Sequence, residues 1–177
     1  MTPADLTERG MSVLLSVIES STTPSTRPRL VTITSNGLDD RSHSLLPLPM
    51  RAFYGWGLKV PHEDKINQEK VVKSAAGWDG EGRGWLGAKN VVIVRPAFLT
   101  SGECKADRKA DKAEKKADKK ADKKGDKKGD KKEDAYKTGR ELPNVWTISR
   151  EDVAHFIAEK IIANWEEWAG EAWVVSY

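Results

Sequence analysis

The sequence predicts an α/β fold in which a small, mainly parallel sheet is flanked by helices. Short β-branched apolar runs alternate along the chain with segments of helical periodicity, a pattern typical of parallel βαβ units. The runs are continuously apolar, which indicates strands that are buried on both faces. Residues 105–134 contain almost only Lys, Asp, Ala, Gly and Glu and interrupt this pattern. We therefore expect a partial sheet of about three or four strands and one disordered, Lys/Asp-rich insertion.

Local signals place the individual elements. Strands are predicted, from their apolar β-branched runs, over residues 29–34, 90–94, 145–148 and 172–176. Helices are predicted over residues 3–19, 51–59 and 62–76 and in a segment that begins after Ser149. Pro61 is expected to end the short helix, because proline cannot continue a helical hydrogen-bond ladder. The glycine-rich stretch 77–88 is expected to be a turn.

Capping signals support two of these helices. Thr2 is a suitable N-cap, and Pro3 suits the first helical position. Ser149-Arg-Glu-Asp152 has the form of a capping box, with Asp in place of the usual Glu or Gln. Both observations indicate that a helix begins at the predicted place.

The charged insertion accounts for the basic balance of the chain. Residues 105–134 contain 14 basic and 9 acidic residues, whereas the remaining residues, 1–104 and 135–177, contain 16 and 18. The part that is expected to fold is therefore mildly acidic, and nucleic-acid binding is not predicted. Four-residue repeats such as Ala-Asp-Lys-Lys are too short to build a stacked core. We interpret the insertion as a solvated loop, with a nuclear-localisation or polyanion-binding arm as the alternative.

Composition also predicts the cellular setting. Cys104 is the only cysteine, so a disulfide framework is not expected and a reducing, cytoplasmic location is predicted, with a nuclear one as the alternative. The first ten residues have no apolar signal-peptide region, and no run approaches the roughly 20 apolar residues of a membrane span. The three histidines lack zinc-like spacing and are expected at the surface. For Cys104 we predict neither a partner nor a nucleophilic role.

Five short motifs occur in a characteristic order. They are Asp5-Leu-Thr-Glu-Arg-Gly10, Arg29-Leu-Val-Thr-Ile-Thr-Ser-Asn-Gly37, Asp64-Lys65 with Glu69, Val92-Ile-Val-Arg-Pro-Ala97 and Ile148-Ser-Arg-Glu-Asp-Val-Ala154. In this order the chain resembles the NmrA-like branch of the atypical short-chain dehydrogenase/reductases. The resemblance covers residues 3–37, 60–104 and 136–177, and it implies a Rossmann-type sheet with NAD(P) as cofactor.

The resemblance also implies site residues. In active members a serine at a strand end orients the substrate, a tyrosine transfers the proton, and a lysine four residues later holds the nicotinamide ribose. Thr34 and Ser35 match the serine position, Lys65 matches the lysine, and Pro96 and Ala97 match the loop that approaches the nicotinamide. We therefore predict Ser35 and Lys65 as catalytic, and Thr34, Lys65, Pro96 and Ala97 as cofactor-binding. The alternatives from residue type alone are a turn serine and a solvated helix lysine.

The sequence departs from the family at two points. Pro61 stands at the tyrosine position and has no proton to transfer. The family's Gly-x-x-Gly-x-x-Gly turn, which follows a strand and precedes a helix, is missing, and the glycines within 77–84 stand in the opposite context.

Three hypotheses follow from these departures. The first is a truncated reductase-like protein that is catalytically incompetent alone and completes its sheet with a protein partner. The second is a non-enzymatic interaction protein that uses the Lys/Asp arm and its tryptophan-rich C-terminus. The third is an oxidoreductase whose missing half is encoded upstream of Met1.

Overall fold

A computed structural model describes residues 4–51, 59–80, 84–108 and 135–177. Its helices are α1 (Leu6–Ser21), α2 (Asp40–Ser44), α3 (Lys59–Ala76), α4 (Arg150–His155) and α5 (Trp165–Trp168). Its strands are β1 (Leu30–Ile33), β2 (Val91–Pro96), β3 (Phe98–Thr100), β4 (Lys137–Gly139), β5 (Thr147–Ser149) and β6 (Glu171–Ser176). A 3-10 turn, Ala88–Asn90, precedes β2, and a π-helix, Phe156–Ile162, continues α4.

The main sheet has four strands in the order β1-β2-β6-β4. β1, β2 and β6 are mutually parallel, whereas β4 runs antiparallel to β6. All six residues of β2 are buried, as expected for the central strand of a sheet that is covered on both faces. The predicted α/β class and the parallel, helix-flanked sheet are confirmed.

Helices cover the two faces of this sheet with separate apolar cores. On one face, Leu15 of α1 and Val72 of α3 pack with Val91 and Ile93 of β2. On the other face, the core includes Val92, Val94, Phe156, Ile161 and Trp165. Tryptophans near the C-terminus, such as Trp165, therefore contribute to the second core. Trp146, in contrast, is 49% exposed.

Two strand predictions need correction. The segment predicted over 145–148 forms a strand over Thr147–Ser149, and it pairs with Phe98–Thr100 in a separate two-stranded sheet. The fourth strand of the main sheet is instead Lys137–Gly139, which the sequence did not predict. The sequence Lys-Thr-Gly has no apolar run, because this short edge strand is specified by its pairing with β6 rather than by burial of its own side chains.

The prediction for Pro61 was wrong, because Pro61 lies inside α3, which begins at Lys59. Proline is tolerated there because the first N–H groups of a helix have no intrahelical partner. The N-terminus of α1 also differs, since the helix begins at Leu6 rather than at residue 3. Its N–H groups are capped from α3, where the Asp64 carboxylate accepts from Thr7 (3.0 Å) and Glu8 (2.9 Å).

Parts of four predictions lie outside the described residues, and one of these parts is residues 81–83 of the predicted glycine-rich turn. The other three parts are the N-terminal capping residues Thr2 and Pro3, residues 52–58 of the short helix, and residues 109–134 of the insertion. Residues 105–108, which we assigned to the insertion, form a helical turn. Cys104, just before it, is buried and does have a partner, because its thiol donates to Asp152 at 3.3 Å.

In the parts of the chain that the structure describes, no helix is long and apolar enough to cross a membrane. The same residues contain no group of three His, Cys, Asp or Glu side chains that could hold a metal ion. The cytoplasmic or nuclear location stays a prediction.

The glycine-rich stretch after α3 leads to a stability prediction. Gly77 has φ +80°, and a Cβ on Gly84 would lie 2.0 Å from the Gly77 backbone nitrogen. We expect Gly84→Ala to lower the free energy of unfolding by several kcal/mol, on the order of the largest single-substitution effects, because backbone atoms must move. Urea denaturation will measure this loss, with Gly102→Ala as the control, since nothing lies within 4 Å of a Cβ there. Equal loss in both variants would contradict the close approach.

Candidate functional site

The turn that follows β1 is fixed against the end of β2. The Thr34 N–H donates to the Val94 carbonyl (2.9 Å), and the Asn36 N–H donates to the Pro96 carbonyl (3.0 Å). Ala97 continues the same edge, donating to the Val175 carbonyl of β6 at 3.0 Å. The structure thus brings Thr34, Pro96 and Ala97 together with Ser35 at the carboxyl edge of the parallel strands. This edge is where ligands bind in open α/β sheets.

Two side chains of this turn provide hydrogen-bonding groups. Ser35 is half-buried, and its hydroxyl donates locally to the Asn36 carbonyl at 3.2 Å. Asn36 is only 2% exposed, and its side-chain Nδ2 is buried without a hydrogen-bond partner. A buried unpaired amide costs about 1–3 kcal/mol, so it indicates a function or a missing acceptor. Asn36 is not among the predicted site residues, and only its place directly after a buried parallel strand could have indicated a role.

Lys65 on α3 is half-buried rather than fully solvated. Its Nζ donates to Gln68 Oε1 (3.0 Å), and Gln68 Nε2 donates to the Thr32 hydroxyl of β1 (2.9 Å). Burial lowers the pKa of Lys65, although the neighbouring Asp64 carboxylate partly opposes this effect. An ammonium with a lowered pKa releases its proton more readily than a surface lysine. The structure therefore connects Lys65 to β1, while the roles predicted for Lys65 and Ser35 stay predictions.

A buried ion pair lies beneath the turn. Glu69 of α3 receives two hydrogen bonds from the Arg95 guanidinium of β2, from Nε (2.8 Å) and NH2 (2.5 Å). The Thr34 hydroxyl donates to the same carboxylate at 2.7 Å, and Lys73 Nζ lies 2.9 Å from it. The Thr34 hydroxyl is thus engaged inside the protein. Arg95 follows directly on the strand predicted over 90–94, and its charge next to an apolar run was the one sequence signal for this ion pair.

Arg95 also reaches the segment that follows the turn. Its NH1 lies 3.0 Å from Asp39 Oδ2, and Asp39 caps α2 by accepting from the Ser42 N–H at 2.7 Å. Burial would raise the pKa of Glu69, but the hydrogen bonds and charge of Arg95 outweigh it and hold this pKa below its usual value. The pKa of Arg95 is raised in turn, because the contacts with Glu69 outweigh its own burial. The cluster therefore stays charged and fixes β1, β2, α2 and α3 around the turn.

Two of the three histidines, His62 and His155, are half-buried. His62 of α3 is half-buried, and its pKa is lowered by burial and by the charge of His43 on α2. His155 accepts or donates in a 2.8 Å hydrogen bond with the Tyr136 hydroxyl. Both side chains are therefore partly exposed and take part in local contacts.

The carboxyl edge fits one end of a dinucleotide better than the other. The donors near this edge are Asn36 Nδ2, which is enclosed by the protein, and Lys65 Nζ, which already donates to Gln68; both are of the type that pairs with an amide carbonyl or with ribose hydroxyls. A pyrophosphate needs a glycine-rich turn that leads from a strand into a helix. The glycine-rich stretch instead joins α3 to the amino end of β2, which is the opposite edge of the sheet. The described residues therefore fit a nicotinamide nucleoside, with no cradle for its phosphates.

No family model matches the sequence. Among curated proteins, the chain is 32% identical over 170 residues to Reductase pytE of Aspergillus terreus. The match covers 94% of the chain and 55% of the relative, so the chain spans about half the length of the curated relative that it matches.

Solved structures share the fold. One is a short-chain dehydrogenase/reductase from Veillonella parvula in complex with NADP, with a TM-score of 0.61 at 13% identity over 96% of this chain and 58% of the other. A protein named for NAD-dependent epimerase/dehydratase activity, from Bacillus halodurans, gives a TM-score of 0.56 at 18% identity over 99% of this chain and 58% of the other. The chain is therefore similar to a curated reductase over about half of that protein's length, and it shares the fold of NAD(P)-binding short-chain dehydrogenase/reductases.

Proposed function

We propose that this chain forms the nicotinamide- and substrate-facing part of an NAD(P)-dependent oxidoreductase. The observation that carries the proposal is a pair of polar residues next to β1, namely Asn36, whose buried amide is unpaired after the carboxyl end of the strand, and Lys65, which is linked to the strand through Gln68 and Thr32. Similarity to a curated reductase and to a structure solved with NADP supports the same function.

In this proposal each residue has a defined task. Bound NAD(P)H would supply the hydride. Lys65 holds the nicotinamide ribose, Asn36 donates to the carboxamide oxygen, and Ser35 orients the substrate carbonyl, with Pro96 and Ala97 as the floor beside the ring. Thr34 contributes indirectly, because its hydroxyl positions the turn through Glu69.

We also propose that the 177 residues alone do not turn over substrate. Pro61 occupies the position where relatives carry the proton-transferring tyrosine, and the chain has no glycine-rich strand–turn–helix for the pyrophosphate. β1 lies at the edge of the sheet in the described part of the chain, and Ile33 is 42% exposed there. A further polypeptide segment or a partner protein that pairs with β1 would cover this edge.

Reduced nicotinamide mononucleotide tests the proposed contacts, because it presents the nicotinamide end without the adenosine half. We expect saturable binding in calorimetry, and we expect Lys65→Met to weaken it about tenfold, the effect of losing one hydrogen bond to a charged group. The control is Lys70→Met, since Lys70 is exposed on the same helix. The proposal fails if the mononucleotide does not bind or if Lys65→Met binds like the wild type. Steady oxidation of NADPH by the isolated chain would contradict the proposed lack of turnover.

A further inference from the structure

The outward side of α1 is apolar. Leu6, Val13, Leu14 and Val17, which we call the α1 stripe, are each between 45% and 65% exposed. Their spacing of three and four residues places them along one side of the helix. Leu15, on the opposite side, is the residue of α1 that is buried in the first core. Single exposed apolar side chains are ordinary, but a continuous stripe of them indicates a contact surface.

The free edge of β1 presents backbone hydrogen-bonding groups. In a parallel sheet the N–H and C=O groups of one residue point to one neighbouring strand, and those of the next residue point to the other side. The Thr34 N–H donates to the Val94 carbonyl of β2, and the same alternation directs the Thr32 N–H to β2. The N–H groups of Val31 and Ile33 therefore point to the side on which the described residues contain no further strand.

The order of the elements determines where a further strand would pair. α1 and α3 lie on the same face of the sheet, and α3 connects β1 to the parallel strand β2. Helical connections between parallel strands are right-handed in nearly all proteins. The same handedness places a strand that leads into α1 on the free side of β1 and parallel to it. One face of such a strand would be covered by the α1 stripe.

The similar proteins are long enough to contain such a strand. The chain spans 55% of the length of Reductase pytE and 58% of the Bacillus halodurans and Veillonella parvula proteins. Each of them therefore has a further part that is nearly as large as the matched one. The Lys/Asp-rich residues 109–134 are unsuited to the surface, because charged side chains do not cover an apolar stripe.

We propose that the α1 stripe and the free edge of β1 form one docking surface for a separate α/β polypeptide. The partner adds an apolar strand that is parallel to β1. Carbonyl groups of this strand accept from the N–H groups of Val31 and Ile33, and its side chains pack against the α1 stripe. Docking of this kind rests on the proposed completion of the sheet at β1, but it does not require that a nicotinamide nucleotide binds.

Hydrogen–deuterium exchange of the isolated chain tests whether the surface is free. We expect the amides of Val31 and Ile33 to exchange at least roughly tenfold faster than the amide of Thr32, because only Thr32 donates to β2. Similar exchange rates for the three amides would overturn the proposal. A dimer in sedimentation velocity would assign the surface to a second copy of the chain, and it would also overturn the proposal.

The part of Reductase pytE that lies outside the match is the partner probe, and it is co-expressed with this chain. We expect a complex that contains one copy of each polypeptide. Within the complex, exchange at Val31 and Ile33 is expected to slow at least roughly tenfold, whereas exchange at Thr32 changes little. Val17→Asp is expected to weaken association at least roughly a hundredfold, because docking would bury its charge.

Ser16→Asp is the matched control, because it adds the same charge one residue away, on the exposed flank of α1 that borders α3. It should associate like the wild type, and both variants should change the urea midpoint of the isolated chain equally. The proposal fails if no complex forms, if Val31 and Ile33 keep their fast exchange in the complex, or if the two variants associate equally well. Association is measured without nucleotide, so a loss of mononucleotide binding with intact association contradicts the proposed function alone.

Discussion

Replacing Glu69 with methionine is expected to lower the free energy of unfolding by about 3–5 kcal/mol, because it removes the buried counterion of a buried guanidinium and leaves only the half-exposed Asp39 to pair with it. Arg95 is only 9% exposed, and Glu69 is 3% exposed. The variant also removes the acceptor of the Thr34 hydroxyl. Urea denaturation followed by far-UV circular dichroism measures the change.

Two further variants isolate the ion pair. The double variant Glu69→Met with Arg95→Met is expected to be considerably more stable than Glu69→Met alone, because the unpaired charge is gone. Glu63→Met, at an exposed position of the same helix, is expected to change stability by no more than about 0.5 kcal/mol. If the double variant is as unstable as the single one, the penalty does not come from an uncompensated Arg95.

The pH dependence follows from the lowered pKa of Glu69. A carboxyl group whose pKa is lower in the folded state than in the unfolded state stabilises the fold above its ordinary pKa of about 4.5. This contribution to stability is lost as the pH falls through the lowered pKa of Glu69 in the folded state. The difference in free energy of unfolding between the wild type and Glu69→Met is therefore expected to be largest at neutral pH and to become smaller in acid.

Asp152→Ala is expected to cause a loss of similar size, about 3–5 kcal/mol, because five donors converge on one fully buried carboxylate. They are the Tyr177 hydroxyl (2.6 Å), the Ser149 hydroxyl (2.9 Å), the Ala106 N–H (3.1 Å), the Lys105 N–H (3.2 Å) and the Cys104 thiol (3.3 Å). The substitution removes the carboxylate that joins the turn at 105–108 to α4 and to the Tyr177 hydroxyl. Thermal and urea unfolding measure the loss.

Cys104 gives this prediction a second readout. Burial raises the pKa of its thiol to about 11, and the hydrogen bond to Asp152 contributes to this rise. We expect Asp152→Ala to make Cys104 react faster with a thiol reagent, since the segment is freed and the thiolate becomes more accessible. Glu159→Ala, at an exposed position of the π-helix, should leave both stability and reactivity unchanged. Slow, wild-type labelling in Asp152→Ala would show that other contacts hold Cys104 in place.

Ser149 and Asp152 show that the sequence predicted where a helix begins but not the hydrogen bonds that cap it. The capping box was predicted there, and Ser149 does accept from the Asp152 N–H at 3.0 Å. In a capping box the carboxylate would accept from the Ser149 N–H. Here the Asp152 carboxylate accepts from the Ser149 hydroxyl, and the Ser149 N–H donates to the Tyr177 hydroxyl at 3.2 Å. Asp is one methylene shorter than Glu, so the tyrosine hydroxyl completes the cap. A residue 28 positions away cannot be inferred from a local motif.

The buried strand β2 is an example of an element that the sequence alone was sufficient to predict. Its apolar β-branched run and the helices that alternate with the strands were sufficient to predict the α/β class, because both depend on local periodicity and residue type. The five ordered motifs located Ser35 and Lys65 through resemblance.

Only the tertiary structure decided what these residues contact. Arg95 is a strand residue whose partner, Glu69, lies on α3, and Asn36 is a turn residue whose amide is enclosed by neighbouring elements. Pro61 is tolerated because it lies in the first turn of a longer helix. The fourth strand forms because Lys137–Gly139 pairs with the backbone of β6. Burial and pairing of this kind depend on segments that are distant along the chain, and local periodicity carries no information about them.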